Sequence, residues 1–233
     1  RPAENTLSVT VSESLLPVLP EVLARIKNLF DLYCEPKAVY ETLQVMNTLQ
    51  PGLCVLGTRL PGCFNVFEMS VRAVLGQQIT VKAASTLAAR LVAVYGTQVQ
   101  TGIEGLTHSF PAPAAILALG ENISEHLGKL GIISARANTI YQLARVLADE
   151  KNDFGFCGNP EEEMQKLQAI RGIGSWTAQY IAMRAMGWPD AFLPTDAGIK
   201  KALPDHTPKE LQVLSEAWRP WRSYATVNLW NTL

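Results

Sequence analysis

Cysteine is scarce in this chain. Four occur, Cys34, Cys54, Cys63 and Cys157, separated by 20, 9 and 94 positions, so none forms the short-spaced knuckle that structural zinc requires; they read as buried thiols. Histidine is scarcer still: His108, His126 and His206 stand in different segments, which points to loop or surface positions. Long apolar runs are missing, none approaching the ~20 residues that cross a bilayer, and no signal-peptide pattern follows Arg1. The expectation is a cytoplasmic protein without membrane contact. Charge of one sign is also lacking. Twenty basic and 21 acidic side chains leave a net −1, an unpromising total for a nucleic-acid binder, which normally carries a basic face.

What is present is apolar and unevenly charged. At 233 residues with 48% hydrophobic content, the chain buries a substantial core as one large or two small domains. Residues 1–58 carry 4 basic and 6 acidic side chains and 152–170 carry 1 and 4, whereas 59–151 carry 8 and 6 and 171–233 carry 7 and 5. The last two stretches are each mildly positive. Beginning on Arg, the chain reads as a piece of something longer.

Leu7 to Ser12 alternates apolar and polar residues, the period of a half-buried strand. From Leu19 the period becomes helical. Val22, Ile26, Leu29 and Phe30 make one stripe, Tyr40, Leu43, Val45 and Met46 a second, and Gln50-Pro51-Gly52 closes it. Phe64, Phe67, Val71, Val74 and Leu75 predict a core helix over 64–75. A short polar link, Gly76-Gln77-Gln78-Ile79, leads to Thr80, which caps a helix presenting Ala84, Leu87, Ala88, Leu91 and Tyr95. Residues 97–109 read as a polar loop. Ile133, Ala137, Ile140, Ala144 and Leu147 mark a long core helix, Lys151 to Pro160 a connection, and two helices over about 207–218 and 221–231 end the chain.

The most informative stretch runs from Leu167 to Lys200. Gly172-Ile173-Gly174 makes a tight turn in which glycine frees the backbone to take positive φ and approach a partner closely. The turn precedes a helix starting near Ser175, so unsatisfied N–H groups and the positive end of the helix dipole face one way, as an anion such as phosphate requires. A dinucleotide-binding turn would need a strand before it and a third glycine; here Glu161 to Leu167 reads as helix and Thr177 stands in the third glycine's place.

Twenty-two residues after Gly174 comes Asp196, behind Pro194 and before a helix starting at Ala197. Locally it is an N-cap. A carboxylate at a helix start, beside an aromatic-rich segment, is equally a place for a catalytic anion.

Hairpin and aspartate at this separation resemble the helix-hairpin-helix superfamily of DNA base-excision glycosylases, and within it the inducible bacterial alkylpurine glycosylases of the DNA-3-methyladenine glycosylase II type. Collinear matches include Leu29-Phe30-Asp31-Leu32, Leu60-Pro61-Gly62-Cys63, Val71 to Gln77 and Trp221-Arg222-Ser223-Tyr224-Ala225. The resemblance implies a mainly α fold. Residues 1–14 would be the remnant strand of an N-terminal antiparallel β domain, 15–62 a helical part packing with the C-terminal helices, 63–170 a helical domain with a minor-groove loop, and 171–233 the hairpin, aspartate and last helices.

The resemblance also assigns roles. Asp196 would stabilise positive charge at the deoxyribose as a flipped alkylpurine departs. Trp176, Tyr180 and Trp230 would form the base pocket by stacking and cation–π attraction. Gly172 and Gly174 would hold a phosphate, with Thr177 as a further donor, while Gln77 and Gln78 approach the minor groove, Gln78 at the wedge position where the relatives carry an apolar residue. The carbonyls of Gln168, Ile170 and Ile173 would hold a monovalent cation. Arg171 stands where relatives often have proline, and Ala197 where they have an aromatic.

No cofactor is required, and with no cysteine beyond Cys157 no iron–sulfur cluster is expected. Trp176 stands where bifunctional members carry lysine, which implies glycosylase without lyase activity. The partner would be double-stranded DNA with alkylated bases, the protein a monomer near the bacterial nucleoid, with a missing or fused N-terminal domain. The alternatives are a non-catalytic helix-hairpin-helix DNA-binding module, a glycosylase for other damaged or mismatched bases, and an α-helical scaffold in which the glycines only turn the chain.

Overall fold

Twelve α-helices lie among the residues described by the computed structural model, 6–148 and 159–233. In chain order they are α1 (Leu19–Leu29), α2 (Pro36–Leu43), α3 (Val66–Leu75), α4 (Val81–Tyr95), α5 (Pro113–Leu117), α6 (Ile123–Gly128), α7 (Ser134–Leu147), α8 (Pro160–Ala169), α9 (Ser175–Arg184), α10 (Ala197–Ala202), α11 (Pro208–Leu214) and α12 (Arg222–Trp230). The fold class is mainly α, as the sequence periodicity indicates. Among the described residues no helix is long and apolar enough to cross a membrane.

Local chemistry explains the helix starts. Asn65 accepts from the Glu68 N–H at 2.8 Å to begin α3, and Thr80 accepts from Ala83 to begin α4. Asn159 caps α8, and Thr207 with Glu210 closes a reciprocal box at α11. Each satisfies a donor the helix itself leaves open.

Two apolar clusters form the interior. The first joins α3 to α9, with Val71, Leu75, Leu91, Leu127, Ile140, Leu143, Leu167 and Ile181 fully buried. The second joins α2, the segment 53–60 and the C-terminal helices around Leu43, Met46, Met183, Ile199, Trp218 and Leu229. Helix α9 belongs to both: Ala178, Ile181 and Ala182 face the first and Met183 the second, while Tyr180 and Trp188 pack against each. Its N-terminal turn is thereby set at the seam.

Four sequence expectations are corrected. Residues 6–12 form no strand, and Leu7 and Val9 are exposed. Of the α1 stripe, Val22, Ile26 and Leu29 are partly buried but Phe30 is half exposed. Phe64 lies outside α3 and is exposed beneath Arg25, and Ile133 is an exposed N-cap rather than a core residue of α7. The polar loop over 97–109 also contains a two-stranded antiparallel ladder, β1 (Thr97–Gln98) and β2 (His108–Ser109), too short to show periodicity. Cys54 is buried and Cys34 and Cys63 are partly buried; Cys157 and most of the expected connection over 151–160 lie outside the described residues.

Candidate active site

Asp196 is the N-cap of α10, and its side chain is nearly enclosed, at 9% exposure. Oδ1 accepts from the backbone N–H of Gly198 at 2.9 Å and of Ile199 at 3.1 Å. It also accepts from the Trp230 indole at 2.8 Å. Oδ2 accepts from the Trp176 indole at 3.1 Å. The local reading as a cap and the resemblance's reading as a functional anion thus describe different donors on one carboxylate. All four donors are neutral, and among the described residues no basic side chain pairs with Asp196. Its charge is held in place without being cancelled, and Oδ2, with one donor, keeps a lone pair for a further partner.

The aromatic residues converge there from two helices. Trp176 and Tyr180, one turn apart on α9, stack with centroids 5.2 Å apart and planes 9° from parallel. Tyr180 and Trp230 are tilted at 6.3 Å, and the Arg184 guanidinium lies 5.8 Å from the Tyr180 ring centre. With Trp176 one turn before it and Arg184 one turn after, Tyr180 braces Trp176 and has little free face. Trp176 and Trp230 are each partly exposed.

Gly198 was not singled out by sequence reasoning, yet it shapes this arrangement. A Cβ there would meet Trp230 Cδ1 at 2.7 Å and Asp196 Oδ1 at 3.0 Å, so only glycine lets the indole reach the carboxylate. Its one sequence signal is a helix-disfavouring residue in the first turn of α10.

In the hairpin only Gly172 takes positive φ, at +96°. A Cβ there would overlap Thr139 Oγ1 at 2.1 Å, whose hydroxyl donates to the Arg171 carbonyl at 2.9 Å. Gly174 is the extended N-cap of α9, φ −87°, with open space where its Cβ would be. Its freedom lies on the outside, where a partner approaches, and not in its φ. Both glycines are exposed, and their N–H groups find no acceptor among the described residues.

Other expected contacts lie elsewhere. Thr177 is buried, at 3% exposure, and its hydroxyl accepts from Gln77 Nε2 at 3.0 Å; it faces inward, away from any phosphate. Gln77 also donates to the Gly172 carbonyl at 2.9 Å, so its amide nitrogen serves the protein interior. Gln78 is exposed. Of the three expected cation-binding carbonyls, that of Ile170 accepts the Ile173 N–H at 3.0 Å, which leaves its oxygen a second lone pair. A separate cleft of about 170 Å³, lined by Asp31, Tyr33, Leu60, Cys63 and Arg184 among others, does not include Asp196.

The family model described as "HhH-GPD superfamily base excision DNA repair protein" matches residues 71–222, and that described as "AlkA N-terminal domain" matches residues 1–65. The chain is 38% identical over 230 residues to DNA-3-methyladenine glycosylase 2 of Escherichia coli K12, covering 99% of this chain and 78% of that protein. It is 40% identical over 216 residues to a probable bifunctional transcriptional activator/DNA repair enzyme AlkA of Mycobacterium tuberculosis H37Rv, covering 90% of this chain and 42% of that one. Among solved structures, a 3-methyladenine DNA-glycosylase from Archaeoglobus fulgidus superposes with a TM-score of 0.73 at 22% identity, over 97% of this chain and 77% of that one, a likeness of fold.

Proposed function

The chain belongs to the HhH-GPD superfamily of base excision DNA repair proteins, and from that premise we propose that it is a DNA glycosylase that flips alkylated purines of the 3-methyladenine or 7-methylguanine type out of the duplex and hydrolyses their N-glycosidic bond. The observation that carries this reading is the Asp196 carboxylate suspended between two indole N–H groups at the start of α10.

Alkylation leaves the purine cationic, so the bond to deoxyribose is already weak and the leaving group needs no strong acid. What the site must supply is stabilisation of positive charge on the sugar as the base departs, and a preorganised anion does this where water is excluded. Three donors crowd Oδ1, so Oδ2 is the oxygen for the sugar or for the attacking water. Its carboxylate accepts the water's proton as the new C–O bond forms. The paired acid and base of a glycosidase are unnecessary because the leaving group is good.

The base stacks on Trp176 and Trp230, with Tyr180 behind Trp176; cation–π attraction of roughly 0.5 to 2 kcal/mol per ring favours a charged base. Ala197 widens the pocket relative to an aromatic there. The exposed amides of Gly172 and Gly174 receive a backbone phosphate, and the carbonyls of Gln168, Ile170 and Ile173 are the groups that would hold a monovalent cation, which would supply positive charge beside that phosphate. Gln78 takes the space of the flipped base. The protein acts as a monomer on double-stranded DNA in the bacterial nucleoid and needs no other cofactor.

Release of 3-methyladenine from alkylated DNA tests the reading directly; a chain that binds such DNA and releases nothing is a binding module instead. With Trp176 two positions after Gly174, no amine stands where a Schiff base would form. Borohydride is therefore expected to trap no protein–DNA adduct, and a trapped adduct would overturn the monofunctional assignment.

A further inference from the structure

Gln77 occupies the turn between α3 and α4, yet its side chain reaches two elements far away in sequence. Nε2 donates to the Gly172 carbonyl at 2.9 Å and to Thr177 Oγ1 at 3.0 Å, bridging the turn to the hairpin and to the first coil of α9. Its own carbonyl accepts from Arg136 Nη2 on α7. The residue is therefore gripped at both ends. The next residue, Gln78, sits at φ +54°, a left-handed conformation that a non-glycine side chain keeps only when its surroundings impose it. Helix α7 also holds the hairpin from the other side, through Thr139 and the Arg171 carbonyl.

We propose that Gln77 is a positioning residue that ties the loop presenting Gln78 to the phosphate-binding hairpin, so that seating the hairpin on the DNA backbone fixes where Gln78 enters the duplex. The inference rests on the glycosylase reading and deepens it. With the tie intact the loop is ordered before DNA arrives. Without it the loop must be ordered during extrusion, and the conformational cost falls on that step and not on phosphate binding. Gln77 then acts through Gln78 and touches no DNA itself.

The test compares two steps in the full chain: affinity for undamaged duplex, and the fluorescence rise of 2-aminopurine placed beside an abasic analogue, which reports extrusion. Gln77→Met removes both bonds of the tie and Thr177→Val the one to Oγ1, each at nearly constant volume and charge. Each is expected to lower the extrusion equilibrium about tenfold, the scale of a lost hydrogen bond or two, while affinity for undamaged duplex stays at the wild-type value. Because Gln77→Met already removes the bond that Thr177→Val breaks, the double variant should lose no more than Gln77→Met alone. Thr177→Ser, which keeps the acceptor, should restore the signal. The tie is overturned if the two single variants extrude like wild type, if their losses add in full, or if affinity for undamaged duplex falls in parallel, which would mark Gln77 as a direct DNA contact. A wild-type chain that binds duplex and extrudes nothing would overturn the glycosylase reading itself.

Discussion

Gly198 and Trp230 are packed so closely that the missing Cβ of the one would stand 2.7 Å from Cδ1 of the other. Adding that carbon must push the indole away from Asp196 and break its 2.8 Å hydrogen bond. Alanine improves helix propensity by about 1 kcal/mol, which offsets part of the cost of displacing the indole, so Gly198→Ala should still fold. Excision should nevertheless fall by about 10²-fold, the usual scale for a misplacement of roughly 1 Å in a preorganised site. Full activity in single-turnover base release would contradict the arrangement.

Asp196→Asn separates the two duties of this residue. Asparagine caps helices about as well as aspartate, so α10 should persist and the variant should fold and bind DNA. Oδ1 has three donors to satisfy, which places the amide nitrogen against the Trp176 N–H, donor against donor, and removes the negative charge. Excision is expected to drop by on the order of 10²- to 10³-fold; an Asn variant as active as wild type in methylpurine release would remove Asp196 from the chemistry.

Arg222 is buried and forks onto Asp190, with bonds of 2.7 and 2.9 Å to its carboxylate and one of 2.9 Å to its carbonyl. This joins α12, which carries Trp230, to the segment leading to Asp196. Arg222→Met leaves Asp190 with Arg219 alone. A loss of about 3 kcal/mol follows, at the low end for a broken buried pair, seen as a thermal midpoint roughly 6–12 °C lower. A midpoint unchanged within error would show the pair to be dispensable.

Burial pushes the thiols of Cys34 and Cys54 above their ordinary value of 9.0. Desolvation likewise raises the Tyr224 phenol, whose hydroxyl is also tied to Asp31 at 3.0 Å. Each group is held in its protonated form by the folded state, so the folded chain binds more protons than the unfolded one in alkaline solution. Their contribution is complete below the unfolded values and is lost as pH rises through the folded ones. Urea midpoints should therefore fall above about pH 9; a midpoint that rises there would reverse the sign.

Helix starts were legible because they depend on neighbours in sequence: Thr80, the acidic run in the first turn of α8 and Asp196 all stand where a cap or a first-turn charge is needed. The core stripe of α7 was legible in Ala137, Ile140 and Ala144, all fully buried. Failures came where burial depends on a distant partner. Leu7, Val9 and Phe30 have the right period and remain exposed, since amphipathic pattern states only which face would be covered. Gln77 and Thr177 carry the same ambiguity: a polar side chain reads alike in sequence whether it faces DNA or another element of its own chain.

From the chain alone come the mainly helical class, the glycine turn before a helix, a capping carboxylate 22 residues later and the aromatic residues around both. Each is a matter of short-range backbone geometry or of side-chain type. Only the tertiary structure decides that Trp176 and Trp230, 54 positions apart in sequence, donate to the two oxygens of one aspartate, that Gly198 makes room for this, and that Gln77 ties a distant turn to the hairpin. Those relations require α9, α10 and α12 to meet at the seam of two cores, and the angles at which helices pack are set by interlocking side chains from the whole molecule, which no local stretch encodes.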